Sequence, residues 1–156
     1  MKFLEVHVVP HNEQRYETVG DWEPGDPARG VPHRITVSET GDRTTNVACA
    51  LHELVEFWLC TLRAIPEDIV SDFDKEYDGE EPGADPDAPY YEEHMTATAL
   101  EHAFIVACDL SIAEYNRNFD NVWRYTSDNP RRQELDGAEN PMHTLPDGLL
   151  GSREPE

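Results

Sequence analysis

Apolar and polar positions alternate along FLEVHVV at residues 3–9 and again along HRITVSE at residues 33–39. A period of two with β-branched residues predicts two short strands, the first ended by Pro10. Between them the run GDWEPGDPARGVP, residues 20–32, is dense in Gly and Pro and reads as a loop. From about Asn46 the period lengthens toward that of a helix, which Ile65–Pro66 closes, and Asp42, Thr44 and Thr45 stand in front as candidate caps. A second helix is predicted over PEDIVSDFDKEYD from Pro66, with acids in its first turn. After the loop GEEPGADPDAPY a third helix starts near Tyr90 or Tyr91 and runs through EEHMTATALEHAFIVACDL. SIAEYNRNFDNVWRYT either continues it or forms its own helix.

No internal repeat is visible, so the pattern predicts an α+β fold: a small N-terminal sheet followed by a mainly helical body. Residues 1–126 form the expected single domain. Residues 127–156 contain four prolines and little periodicity, and read as a flexible tail. At 156 residues the chain is long enough for one substantial core and short for two.

Charge narrows the range of functions. Twelve Lys and Arg against 33 Asp and Glu give a net charge of -21, which argues against direct binding to nucleic acid or to an anionic membrane. It leaves room for a basic protein partner that mistakes the acidic surface for nucleic-acid phosphate. The three cysteines lie within apolar helical sequence, which suits a reducing cytoplasm, and neither a signal peptide nor a long apolar span is evident.

The stretch ALHELVEFWLC, residues 50–60, places His52, Glu53 and Glu56 inside an apolar helix. At about 100° per residue from His52, Glu56 falls near 40°, Cys49 near 60° and Glu53 near 100°, a narrow polar seam. In the third helix His94, Thr98 and Glu101 lie within about 60° of one another. Two apolar helices bury such seams against each other only if the charges are paired, protonated or bound to a cation. His52 and Glu56, one turn apart, are candidate metal ligands, joined by His94 and Glu101, while Glu53 points to the side of them. Further candidates are Glu93, Cys49, Asp72 and Tyr91, alongside Asp74 and Tyr90 nearby. A metal-free His/Glu network that only specifies the fold is the competing reading.

HELVE resembles the HExxH helix of zincin metallopeptidases with Glu in place of the second His. The order RITVS, then HELVE, then YYEEHMTATALEHAF is similar to the zincin plan of an edge strand, an active-site helix and a downstream ligand helix. The same segments also resemble a group of uncharacterised phage-type proteins with HELxE followed by an acidic DPxAPY stretch. The resemblance implies His52 and Glu56 as ligands, Glu53 as general base and Glu93 or His94 as third ligand. The implied ion is zinc, with manganese or magnesium as alternatives because a carboxylate replaces an imidazole. The implied reaction is hydrolysis of a peptide or small-molecule carbonyl by a metal-activated water. Two alternatives remain open: a metal-dependent nucleotide phosphohydrolase, and a non-enzymatic acidic inhibitor. His7, His11, His33 and His143 have no assignable partner and are expected at the surface.

Overall fold

The structure, a computed structural model, describes residues 2–79 and 81–125. The α+β expectation holds: among the described residues a three-stranded sheet is followed by four α-helices. Strand β1 (Leu4–Val9) pairs in parallel with β3 (His33–Ser38), and β2 (Gly20–Glu23) pairs antiparallel on the other side of β3, with Trp22 opposite Ile35. The order is therefore β1-β3-β2.

Two expectations need correction here. The stretch read as loop from Gly20 contains β2. Its polar Asp21 is tolerated because Arg15 reaches it through Nε at 2.6 Å and Nη2 at 2.8 Å, a long-range pairing no local pattern announces. RITVS, expected at an edge by analogy, lies in the middle strand, and β2 is the antiparallel edge instead.

Helix α1 (Arg43–Arg63) starts a turn earlier than expected, because Asp42 caps it by accepting from the Thr45 amide at 2.7 Å. It ends where Ala64 turns left-handed at φ 56° and Pro66 follows. Helix α2 (Glu67–Glu76) takes Pro66 as its cap residue. Helix α3 (Tyr91–Ala107) and helix α4 (Ile112–Tyr125) are separate, turned 110° to one another. The break has local causes. Asp109 adopts a left-handed φ of 58°, and Ser111 with Glu114 forms a reciprocal cap: the Ser111 hydroxyl and amide donate to Glu114, and the Glu114 amide donates back to Ser111.

The core joins Trp22 of β2, Ile35 and Val37 of β3, Phe57 and Cys60 of α1, Ile105 of α3 and Tyr115 of α4. Among the described residues no single helix is long and apolar enough to cross a membrane. The tail expected beyond residue 126 lies outside the described residues.

Candidate metal centre

α1 packs along α3, and the two polar seams meet. His52 and Glu56 from α1 and His94 and Glu101 from α3 are all buried. Three atoms converge: His52 Nε2 lies 3.2 Å from His94 Nδ1 and 3.4 Å from Glu56 Oε2, and His94 Nδ1 lies 3.0 Å from Glu56 Oε2. Four ligands bound at about 2.0–2.1 Å around a tetrahedral ion stand about 3.3 Å from each other, so this triangle has the edge length of one tetrahedral face. Two imidazoles and one carboxylate are also a donor set used at catalytic zinc sites, which leave the fourth position open. The residues present thus fit a divalent ion in both spacing and chemistry.

The atoms behind the triangle are held as well. The other nitrogen of His52, Nδ1, faces Glu101 Oε2 at 3.1 Å, and the Tyr115 hydroxyl of α4 donates to the second oxygen of Glu101. Glu56 Oε1 accepts from the Trp22 indole N–H of β2 at 3.0 Å, leaving only Oε2 to point inward. His94 Nε2 lies 3.5 Å from Glu81 Oε1. Such outer partners fix ring orientation and raise ligand basicity in metal sites. Gly83, in a 3-10 turn at Pro82–Ala84, closes over His94: a Cβ there would stand 2.3 Å from Nδ1.

The electrostatics follow from burying acids beside histidines. Burial works to discharge His52, yet the Glu101 and Glu56 carboxylates outweigh it and lift its pKa well above the usual imidazole range. Burial pushes Glu56 upward, but hydrogen bonds from His52 and His94 overcome it and bring the carboxyl down to about 2. Glu53 has no such donors among the described residues. Burial first, then the neighbouring Glu56 charge, raise it well above the carboxylate range.

Glu53 is half-buried and turns toward β2, where Gly20 makes room: a Cβ on Gly20 would stand 2.2 Å from Glu53 Oε1. The other sequence candidates go elsewhere. Glu93 is buried but pairs with Arg63 Nη1 at 2.5 Å. Asp72 is exposed beside Lys75 at 3.9 Å. Tyr91 packs half-buried against the apolar core. The buried Cys49 thiol, raised chiefly by burial, points to the Val19 carbonyl at 3.8 Å. Asp74 is taken by two phenols: Tyr90 donates to Oδ1 and Tyr16 donates to Oδ2 at 3.1 Å.

Sequence reasoning missed Trp22, Glu81, Gly83 and Tyr115. Trp22 was hidden in a stretch read as loop, while Tyr115 lies beyond a helix break whose angle the periodicity does not report. Only the Ser111-to-Glu114 spacing carries a local sign of that break. His11 and His33, expected at the surface without partners, are part-buried: His11 Nδ1 meets Ser38 Oγ at 2.9 Å, and His33 Nδ1 accepts from the Gly25 amide at 2.9 Å. His7 is exposed beside Glu5, and His143 lies outside the described residues. Comparison with family models, curated proteins and solved structures finds no match to the chain.

Proposed function

We propose that this protein is a divalent-metal-dependent hydrolase, its ion held by His52, Glu56 and His94 and its general base supplied by Glu53. The observation that carries the reading is the triangle of donor atoms, 3.0–3.4 Å on a side, drawn from two helices and supported from behind. An ion there supplies Lewis acidity and brings the pKa of a coordinated water toward neutrality.

The chain's own residues do the rest. Burial and the Glu56 charge raise the Glu53 carboxyl above the usual carboxylate range, the direction in which a carboxylate becomes a stronger base. Glu101 holds His52 so that Nε2 and not Nδ1 points inward, and Tyr115 holds Glu101. Trp22 leaves Glu56 one oxygen to offer. Two nitrogens and a single carboxylate oxygen favour zinc, with manganese or magnesium as the alternatives. The substrate class is a peptide or small-molecule carbonyl compound, and the free thiols at Cys49, Cys60 and Cys108 suit work in a reducing cytoplasm.

Metal content of the purified full chain, measured after equilibration with Zn²⁺, Mn²⁺ or Mg²⁺, tests the reading together with hydrolysis of a mixed peptide and ester set. One ion per chain is expected in the wild type and in Glu53→Gln, and loss of it in His94→Ala. Hydrolysis should vanish in both variants. A wild type that takes up no stoichiometric ion sinks the proposal. A bound ion with no hydrolysis by the wild type leaves a structural metal site and removes the enzyme, and equal hydrolysis by wild type and Glu53→Gln removes Glu53 as the base.

A further inference from the structure

Among the described residues, β1 is a sheet edge that no further strand pairs with. Its middle residues are exposed, Val6 at 53% and Val8 at 46% on one face and His7 on the other, and β3 pairs with one edge of it. The parallel ladder fixes which backbone groups are spent: the Phe3 carbonyl accepts from His33 and the Val9 carbonyl from Glu39. Parallel pairing uses every second residue, so Phe3, Glu5, His7 and Val9 turn their peptide groups toward β3. Leu4, Val6 and Val8 then turn theirs outward, to an edge that no strand among the described residues pairs with.

An exposed edge of this kind is a template for another strand unless charge or Pro blunts it. Here the side chains decide which strand fits. Glu5 and His7 share one face of β1, their side chains 3.1 Å apart, and the alternate face carries Leu4, Val6 and Val8. Laid antiparallel against itself about Val6, the strand is self-complementary. Val6 falls opposite Val6 of the second copy, Leu4 opposite its Val8, and Glu5 opposite its His7.

The register agrees with the backbone. Leu4, Val6 and Val8 are the residues with outward peptide groups, and they form the hydrogen-bonded pairs, about six bonds in all. Glu5 and His7 fall in the closer, non-hydrogen-bonded positions, where side chains across the strands meet at a Cα spacing of about 4.5 Å. Charge also selects this strip. Between Lys2 and Pro10 one Lys balances one Glu, on a chain whose net charge is -21, so two copies meet here without the repulsion their other surfaces impose. Apolar surface continues onto α1 beside the strand, where Phe3 contacts Trp58 edge-on at 6.3 Å and both are about half-exposed.

We infer that β1 is a homodimer interface, joining two copies of this chain antiparallel through Val6 into one continuous sheet with reciprocal Glu5–His7 pairs. Pro10 lacks an amide to donate and stops the pairing at the strand end.

Sedimentation velocity of the full chain over a concentration series to the millimolar range tests this. A concentration-dependent dimer is expected. Val6→Pro deletes the central outward N–H without touching the ladder to β3, and should leave a monomer with unchanged far-UV dichroism. His7→Glu sets Glu against Glu5 twice and should weaken the dimer about tenfold, at the usual worth of cross-strand pairs. The exchange Glu5→His with His7→Glu restores the pairing and should restore the dimer. A wild type that stays monomeric throughout, or a dimer indifferent to Val6→Pro and to His7→Glu, overturns the inference. If Val6→Pro does not fold, failure of the exchange to rescue His7→Glu does so instead.

Discussion

Asp74 is a carboxylate placed where the fold works against its charge, and replacing it should stabilise the protein above neutral pH. Two tyrosine hydroxyls, from Tyr90 and Tyr16, donate to it, which favours the charged form. Burial outweighs them, and the negative Glu56 adds to burial, so the carboxyl rises from 3.8 to about 6. The folded state therefore holds this proton more tightly than the unfolded chain. Its contribution is neutral below about 4, worsens as pH climbs from there through about 6, and then stays constant. The gap between 3.8 and about 6 corresponds to about 3 kcal/mol at about 1.36 kcal/mol per pH unit. Partial exposure of Asp74 leaves water to screen some of this, so about 1.5–3 kcal/mol is expected. Asp74→Asn keeps the shape and an acceptor for one phenol, and removes the charge. In urea melts of wild type and variant from pH 4 to pH 8, the variant should match the wild type at the acid end and exceed it at pH 8. Titrations of groups that do not interact with Asp74 cancel in the difference. A variant equal or less stable at pH 8, or one whose advantage does not vary with pH, refutes the reasoning.

Gly83→Ala drives a methyl group to within 2.3 Å of His94 Nδ1, and the imidazole, held by Glu56 and His52, has little room to retreat. A loss of about 1–3 kcal/mol in thermal or urea melts is expected, with reduced metal uptake. Unchanged stability and unchanged uptake would show that the turn yields instead. Asp42→Ala removes the cap that accepts from both the Thr45 amide at 2.7 Å and its hydroxyl at 2.8 Å. It should cost about 1 kcal/mol at pH 7, measured by chemical denaturation. The cost should shrink below the lowered Asp42 pKa, because these same bonds stabilise the ionised form.

The elements that sequence made legible are those with a strong local period. α1 and α3 each carry a helical repeat that phases His52 with Glu56 and His94 with Glu101, and the structure buries both pairs. β1 and β3 alternate cleanly enough to be read within a residue of their ends. What escaped was set by partners far along the chain. β2 is four residues long and begins Gly-Asp, poor strand formers, and it exists because β3 pairs with it and Arg15 neutralises Asp21. Periodicity placed Glu101 on the right face without saying which nitrogen of His52 it would meet. That depended on the length of both side chains and on Tyr115 arriving from α4. Gly20 and Gly83 read as loop punctuation, whereas each is where a backbone passes so close to the Glu53 or His94 side chain that a Cβ would force something to shift.

In sequence, Glu56 looked like a defect in a zinc-binding helix, because a carboxylate stands where an imidazole was expected and would soften the preference for zinc. Geometry changes the weight of that point. With His94 as the third donor the set is again two imidazoles and one carboxylate, the same composition with two positions exchanged. For the ion proposed above, the choice would rest on how many oxygens Glu56 can offer, and Trp22 occupies Oε1 at 3.0 Å. Magnesium and manganese favour more oxygen ligands than zinc, so a carboxylate confined to one inward oxygen counts against them. Trp22→Phe keeps most of the packing against Phe57 and Ile35, removes the N–H, and frees Oε1 to turn inward. Competition binding should show the preference for Zn²⁺ over Mn²⁺ falling about tenfold, the lower end of what lost outer-shell partners cost, with zinc affinity falling more than manganese affinity. If the ratio stays put while both affinities drop together, Trp22 only holds the helix in place, and the selectivity belongs to the triangle itself.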